Sequence, residues 1–341
     1  MEFDPPFCPF PECPSRAGAR AFRFRRSGCY RRACDRRIVP RFVCRACARR
    51  FSAQTFRLDY RFRKPALDSW MLRLLVSKVT HRQAARMLRV NRKTVHRRLR
   101  RFAPALRALH LGVLARARRA GGLRGRYSLD ELETFEHNRR LKPVTVPVLI
   151  EKTTHFVISA RTAPLAARGR IGAREREKLR ALEEREGRRR SGSKQAVEAL
   201  LGELGGVHDP RADVEMATDG KRAYLAAMRR RFGNRRASHS MESSQKPRNR
   251  DNSLFAINHT LAMMRDQISR LVRRSWGASK CRAELQKHVW IWTAWKNYVR
   301  GITNEAPNTT PAMALLVARA QLSTADLLRW RWPDCMPDCA F

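Results

Sequence analysis

Apolar and polar positions change their period along the chain, and the changes divide it into regions. From 67 to 102 the chain reads LDSWMLRLLVSKVTHRQAARMLRVNRKTVHRRLRRF, with apolar side chains at helical spacing among basic ones. That spacing predicts helices with one apolar face. From Tyr127 the texture shifts to short apolar stretches at 127–135, 144–150 and 155–160. These are β-branched or aromatic with turn signals between them, and they predict strands. Residues 174–204 predict helix, interrupted by the Gly, Ser and Arg patch at 187–193. A strand is expected at 213–218, a helix at 221–231 and a further strand at 235–240. The stretch 255–275 predicts a long helix, because Ile257, Leu261, Met264, Ile268, Leu271 and Val272 recur at helical spacing. Residues 285–298 carry Trp290, Trp292 and Trp295 and also predict helix; that tryptophan cluster reads as core. No repeat at a fixed period is visible.

A chain of 341 residues is long enough for two or three domains. The first segment, 1–63, holds six cysteines and few helical signals. The second, 64–120, is helical and basic. Gly121, Gly122 and Gly125 mark a linker. A mixed α/β domain is expected over 126–280, with a helical extension at 281–341.

Charge then narrows the partners. Lys and Arg number 73 and Asp and Glu 30, a net charge of +43. A surface this basic calls for a polyanion. Nucleic acid fits best, bound through phosphate contacts that release counterions. An anionic membrane surface is the rival. No stretch approaches the roughly 18 apolar residues of a membrane span, and residues 1–11 lack the apolar core of a signal peptide. The expectation is a soluble cytoplasmic protein without a membrane partner, associated with the nucleoid. In that compartment thiols stay reduced, so the nine cysteines are read first as metal ligands.

Cys8 and Cys13 form C-x4-C, and Cys44 and Cys47 form C-x2-C. Two close pairs about 30 residues apart suit one tetrahedral Zn²⁺ held by four thiolates. In a small arginine-rich segment the metal would supply folding energy. Cys29 and Cys34 form a second C-x4-C, so spacing leaves the choice of four open. Cys8, Cys13, Cys44 and Cys47 are preferred, because Phe51 follows the second pair as the aromatic residue closing a β-turn. Cys281, Cys335 and Cys339 are harder to place; Cys335 and Cys339 could make a weak metal pair but are read as incidental.

From Arg82 the helical segment has a helix-turn-helix pattern. Ala84, Ala85 and Leu88 share one face, a tight turn follows at 89–91, and Val95 and Leu99 anchor a second helix. Asn91 is a good N-cap for it. That helix would enter the major groove of DNA and present Arg92, Lys93, His96 and Arg97.

In so basic a chain, isolated carboxylates stand out. Asp130 sits on the first expected strand and Asp219 between a strand and a helix. Two-metal phosphodiester chemistry needs carboxylates converging on two Mg²⁺ about 4 Å apart. Asp219 ahead of a helix would also make an N-cap, which needs no metal. Strand alternation points Glu131 away from Asp130, so Glu131 and Glu133 are read as neighbours. His239 and His259 are read as structural.

Taken together, these pieces resemble bacterial insertion-sequence transposases with an N-terminal zinc ribbon, a helix-turn-helix and an RNase H-like core. The resemblance rests on Cys8, Cys13, Cys44 and Cys47, the pattern at 82–102, Asp130-Glu-Leu-Glu-Thr-Phe and Thr218-Asp-Gly-Lys-Arg-Ala-Tyr224. It extends to the helix around Asn258, Arg265 and Arg270 and to Thr309-Thr-Pro-Ala-Met-Ala314, so it covers nearly the whole chain. It implies one acid on strand one and another at the end of strand four of the core, matching Asp130 and Asp219. A third ligand opens a later helix, seven residues ahead of an Arg. Here that position is Asn258, which departs from the commoner Glu; Glu242 and Asp251 are the alternatives. The implied activity is Mg²⁺- or Mn²⁺-dependent cleavage at terminal inverted repeats of double-stranded DNA, which the zinc ribbon of 1–63 and the helix-turn-helix would both recognise, and transfer to target DNA, by a homo-oligomer pairing two ends. Rival readings are a non-enzymatic, sequence-specific regulator derived from an inactive transposase, and an RNA-binding or nucleoid-associated protein.

Overall fold

Alternating side chains build the first sheet. The computed structural model of the chain describes residues 3–233, 236–242, 246–247, 249, 251–272 and 277–329. Strands β1 (Phe24–Arg31), β2 (Ile38–Cys44) and β3 (Arg50–Ser52) form an antiparallel sheet in the order β1-β2-β3. Phe42 faces inward, with Cys44 two residues on; Arg41 and Val43 take the other side. A bulge between Arg26 and Cys29 shifts the β1 register.

The chain divides into two compact units. Residues 1–71 and 323–341 make one, and 72–322 the other. Helix α1 (Asp68–Leu75) follows the first sheet. In the second unit, α2 (His81–Met87) starts with a capping box between Thr80 and Gln83. It ends in a Schellman closure: Val90 N–H bonds to Ala85 C=O and Arg89 N–H to Arg86 C=O. Arg89 sits at φ 49°, a left-handed position where glycine is usual. Helix α3 (Arg92–Arg119) then begins on Asn91, whose side chain accepts from Lys93 N–H. It runs 28 residues, through Pro104, because Phe102, Ala103, Leu106, Val113 and Leu114 are buried.

The main sheet follows. It comprises β4 (Arg126–Phe135), β5 (Pro143–Glu151), β6 (Val157–Ala160), β7 (Ala163–Pro164), β8 (Val214–Thr218) and β9 (Ala237–Met241). The order is β6-β5-β4-β8-β9, with β7 pairing β5. β4, β5 and β6 run antiparallel; β8 and β9 run parallel to β4. The sheet is therefore mixed. β5, flanked by β6 and β4, is buried at every residue, which suits its run of Val, Leu and Ile. Two helices, α4 (Ala173–Glu186) and α5 (Ser193–Val207), occupy the charged segment, separated by the Gly187 turn. α5 packs on β5 and β6, while α6 (Arg222–Phe232) packs on α5 and β9.

α7 (Phe255–Gln267) packs on β4 and β5. The expected helix over 255–275 ends early: Ile268 turns extended, a short 3₁₀ turn follows at Ser269–Leu271, and 273–276 lie outside the described residues. Buried Ile268 and Leu271 stay in the core without helix. α8 (Arg282–Tyr298) packs against α3 and β6, so this part of the C-terminal segment completes the α/β core. α9 (Pro311–Ala314) packs on α8. α10 (Thr324–Arg329) belongs to the first unit, where Thr324 Oγ1 and Ser69 Oγ lie 2.7 Å apart. Cys335 and Cys339 lie outside the described residues.

Candidate functional site

The first unit gathers four sulfurs. Cys8, Cys13, Cys44 and Cys47 lie with their sulfurs all within 4.8 Å of one another. Cys8 Sγ to Cys47 Sγ is 3.7 Å, and Cys13 Sγ to Cys44 Sγ is 3.7 Å. A disulfide would need about 2.05 Å. A tetrahedron with Zn–S of about 2.3 Å has sulfur–sulfur edges of about 3.8 Å, so the cluster has the shape for a structural metal such as zinc. Cys29 and Cys34 are exposed and stand outside it. Burial pushes the Cys8 thiol up. Burial also works against charging Cys13, but hydrogen bonds from Ser15 together with the neighbouring Cys47 and Cys44 bring that thiol down to about 6. Phe42, Phe51, Phe56 and Phe3 close around the sulfurs, with centroids 5.5–6.1 Å apart.

The second unit brings two carboxylates together. β4 pairs β8 at Tyr127–Met216 and Ser128–Ala217. Two residues further in this register, Asp130 stands opposite Asp219. Burial raises the Asp130 carboxyl to about 6, and the neighbouring Asp219 charge pushes the same way. Asp130 Oδ1 accepts from the Glu131 N–H at 2.6 Å. Asp219 Oδ1 is buried without a hydrogen-bond partner among the described residues. Asp219 does not cap α6: the helix starts after Lys221 and has no side-chain cap. Gly220 makes the intervening turn at φ 81°, where a larger residue would be strained. Two neighbouring half-buried carboxylates with one orphaned oxygen form a site suited to a cation.

The candidate third ligands differ in placement. Parallel pairing continues to Thr218–Met241, and Glu242 N–H donates to Thr218 C=O at 3.1 Å. Asp219 and Glu242 therefore leave neighbouring strands at the same level. Glu242 also pairs with Lys246 and accepts from Ser253 Oγ. Asn258 is half-buried on α7. Asp251 is exposed in a turn and accepts from Asn249.

Glu131 faces the other side of β4 and is fully engaged. It accepts from Thr145 Oγ1 at 2.6 Å, Tyr224 OH at 2.7 Å and Ser193 Oγ at 2.9 Å, with Lys221 Nζ at 3.4 Å. Burial opposes the charge, but these partners hold the carboxyl below its usual value. Lys221 and Tyr224 went unnoticed in the sequence although they sit in the Thr218–Tyr224 motif. A cavity of about 1080 Å³ opens beside Glu131 and Glu133 and is lined by Arg139, Arg140, Arg168 and Arg265.

The basic helix residues separate. Arg92, Lys93 and Arg97 are exposed on the first turns of α3, together with Arg82, Arg86 and Arg89 from α2 and its turn. His96 instead turns toward α8: its Nδ1 lies 3.8 Å from Glu284 Oε2. Burial holds it below its ordinary value against the pull of Glu284.

One buried cluster had no signal in the sequence. Lys296 is fully buried on the tryptophan-rich α8, and burial lowers it to about 8. Its Nζ and the Nδ1 atoms of nearby His155 and His259 have no hydrogen-bond partner among the described residues.

No protein-family model matches the chain, and no curated protein matches it. Among the described residues no helix is long and apolar enough to cross a membrane.

Proposed function

We propose that this chain is a DNA transposase, with a zinc ribbon, a helix-turn-helix over α2 and α3, and an RNase H-like catalytic core. The observation that carries the reading is the Asp130–Asp219 pair, half-buried on neighbouring strands with one buried, orphaned carboxylate oxygen. Taken in chain order, β4 is the first and β8 the fourth of the five strands on the main path of the sheet, the positions the resemblance implies for the two acids. Asp130 and Asp219 would hold Mg²⁺ or Mn²⁺. Glu242 is the third ligand favoured by strand register and Asn258 the one favoured by the resemblance. A cation bound there supplies a lowered water pKa and neutralises charge on the phosphoryl oxygens. The protein's own part is positioning. Glu131, tied to Thr145, Ser193 and Tyr224, fixes β4 against α5 and α6 and leaves Asp130 free for the cation. Exposed Arg92, Lys93 and Arg97 would hold duplex DNA from the start of α3, and a homo-oligomer would pair the two element ends.

Labelled duplex carrying the inverted repeat that flanks this coding sequence, incubated with Mg²⁺ or Mn²⁺ and then EDTA, tests the proposal. Metal-dependent nicking at the repeat boundary is expected, lost in Asp130→Ala and Asp219→Ala with DNA binding retained. Full activity in either variant overturns it. Specific binding without any nicking would make the chain a regulator.

A further inference from the structure

A lysine is seldom buried without a partner, because its charge loses water and gains nothing in return. Lys296 on α8 is such a lysine. It is 0% exposed, and its Nζ has no hydrogen-bond partner among the described residues. The next residue fixes its place. Asn297 Oδ1 accepts from Val157 N–H at 2.9 Å, and Asn297 Nδ2 donates to Val157 C=O at 2.8 Å. α8 is thereby held against the start of β6, next to the turn at 152–156 that carries His155.

Two imidazoles meet at the same place. His155, at φ 58° in that turn, and His259 on α7 have ring centroids 5.6 Å apart, edge to face. His259 is also stacked on Phe255. Both histidines are half-buried, yet both Nδ1 atoms are buried without a hydrogen-bond partner among the described residues. The charge of Lys296 acts on both rings. Three nitrogens from three elements are thus buried, close and unsatisfied, and each costs stability until it finds a partner. Glu151, the acid that acts on His155, is already taken up by the turn: it accepts from Thr153 N–H, Thr154 N–H and Thr154 Oγ1.

What these groups lack is an acceptor with negative charge. A water molecule accepts a hydrogen bond but leaves the ammonium uncompensated. A metal ion would need the amine deprotonated and would also face the charge of Arg300. An anion suits all three nitrogens: the ammonium supplies charge and protons, and each neutral imidazole can carry its proton on Nδ1. Lys296 is out of reach of bulk water, so the anion must shed its hydration shell, which is least costly for a large ion with a single charge. We propose that the turn at 152–156, α7 and α8 enclose a binding site for a monovalent halide of about the size of chloride. Nothing in this site depends on DNA; the bound ion joins α7 and α8 to the turn between β5 and β6.

The test uses the full chain with zinc near neutral pH, melted in sodium chloride exchanged against sodium gluconate at constant ionic strength. Above the Kd, each tenfold rise in chloride should raise the melting of residues 72–322 by roughly 3–5 °C, and bromide should act likewise. Lys296→Met, which keeps the stem and drops the charge, should melt at least as high as the parent in gluconate and lose the chloride response. His259→Phe, which keeps the stack on Phe255 and drops Nδ1, should weaken that response. A full response in Lys296→Met would put the halide elsewhere on this basic chain and overturn the proposal, as would no response in the parent. Crystals soaked in bromide give the direct answer. An anomalous peak between Lys296 Nζ, His155 Nδ1 and His259 Nδ1 is expected; a water there, or no peak, overturns the site.

Discussion

In the unit of residues 3–71, the buried side chains are largely sulfurs and phenyl rings: Cys8, Cys13, Cys44, Phe42, Phe51 and Phe56. In residues 72–322 they are the Val, Leu and Ile of a central sheet, with β5 covered along its whole length. Carboxylates follow the same division. In the first unit they neutralise arginines, Asp4 and Glu12 at the surface and Asp59 inside against Arg32; in the second, Asp130 and Asp219 stand half-buried beside each other with no arginine between them. A small sheet cannot bury enough apolar area to stand alone, so its cluster is a structural support. A large sheet has stability to spare, so it can hold a mutually repelling pair. A metal would be fold in one unit and function in the other.

The largest expected effect breaks the comparison at the sulfurs. Cys44→Ser, or a zinc chelator, should remove a folding contribution on the order of 10 kcal/mol. Segment-resolved hydrogen exchange should then show residues 24–56 losing protection while β4 and β5 keep theirs. Loss in both units together would mean that they fold as one.

The reverse experiment attacks the second core. Leu149→Ala, at a fully buried β5 position, should cost about 3 kcal/mol through lost burial and a cavity. Denaturant unfolding should register it in the second unit with zinc retention unchanged.

Acid should also select the second unit. His110 is fully enclosed; its Nε2–H donates to Ile158 C=O and its Nδ1 accepts from Tyr298 OH, both at 2.8 Å. Burial lowers its pKa to about 4 from 6.5. A lowered pKa means the unfolded chain takes up the proton first. Stability is therefore intact above about pH 6.5 and declines as pH falls toward 4, by roughly 3 kcal/mol. Melts from pH 7 to 4 should show this slope, and it should be shallower in His110→Asn.

Two smaller effects sharpen the picture. Asp219→Ala should leave the second unit as stable or more stable by about 1 kcal/mol, because it relieves repulsion with Asp130, while abolishing nicking. A loss of several kcal/mol in thermal melts would show the carboxylate to be structural. Arg89→Gly should add about 0.5–1 kcal/mol at the left-handed turn, read by the same melts.

Much of this arrangement is legible in the sequence, because period and turn residues are local. The strands at 127–135, 144–150 and 213–218 and the break at Gly187 all follow from neighbours a few positions apart. α3 is different. Pro104 signals an end, yet burial of Leu106, Val113 and Leu114 against α8 and α5 carries the helix on. The choice among six cysteines is likewise decided by folding, since Cys29 and Cys34 have the same C-x4-C spacing as Cys8 and Cys13. Glu131 was readable only as a neighbour, because its partners Thr145, Ser193 and Tyr224 come from distant positions. Lys296 was hidden by the tryptophans around it.

The length of α3 has a mechanical consequence. Twenty-eight residues span about 42 Å, and this one unbroken rod joins the exposed basic turns at Arg92 to the layers packed on the main sheet. Anything held at its near end is carried at a set reach and a set angle from the acids. The helix is in that sense a ruler: one inserted residue would advance the grip by about 1.5 Å and swing it by about 100°, moving the position of a cut along the DNA rather than abolishing the grip.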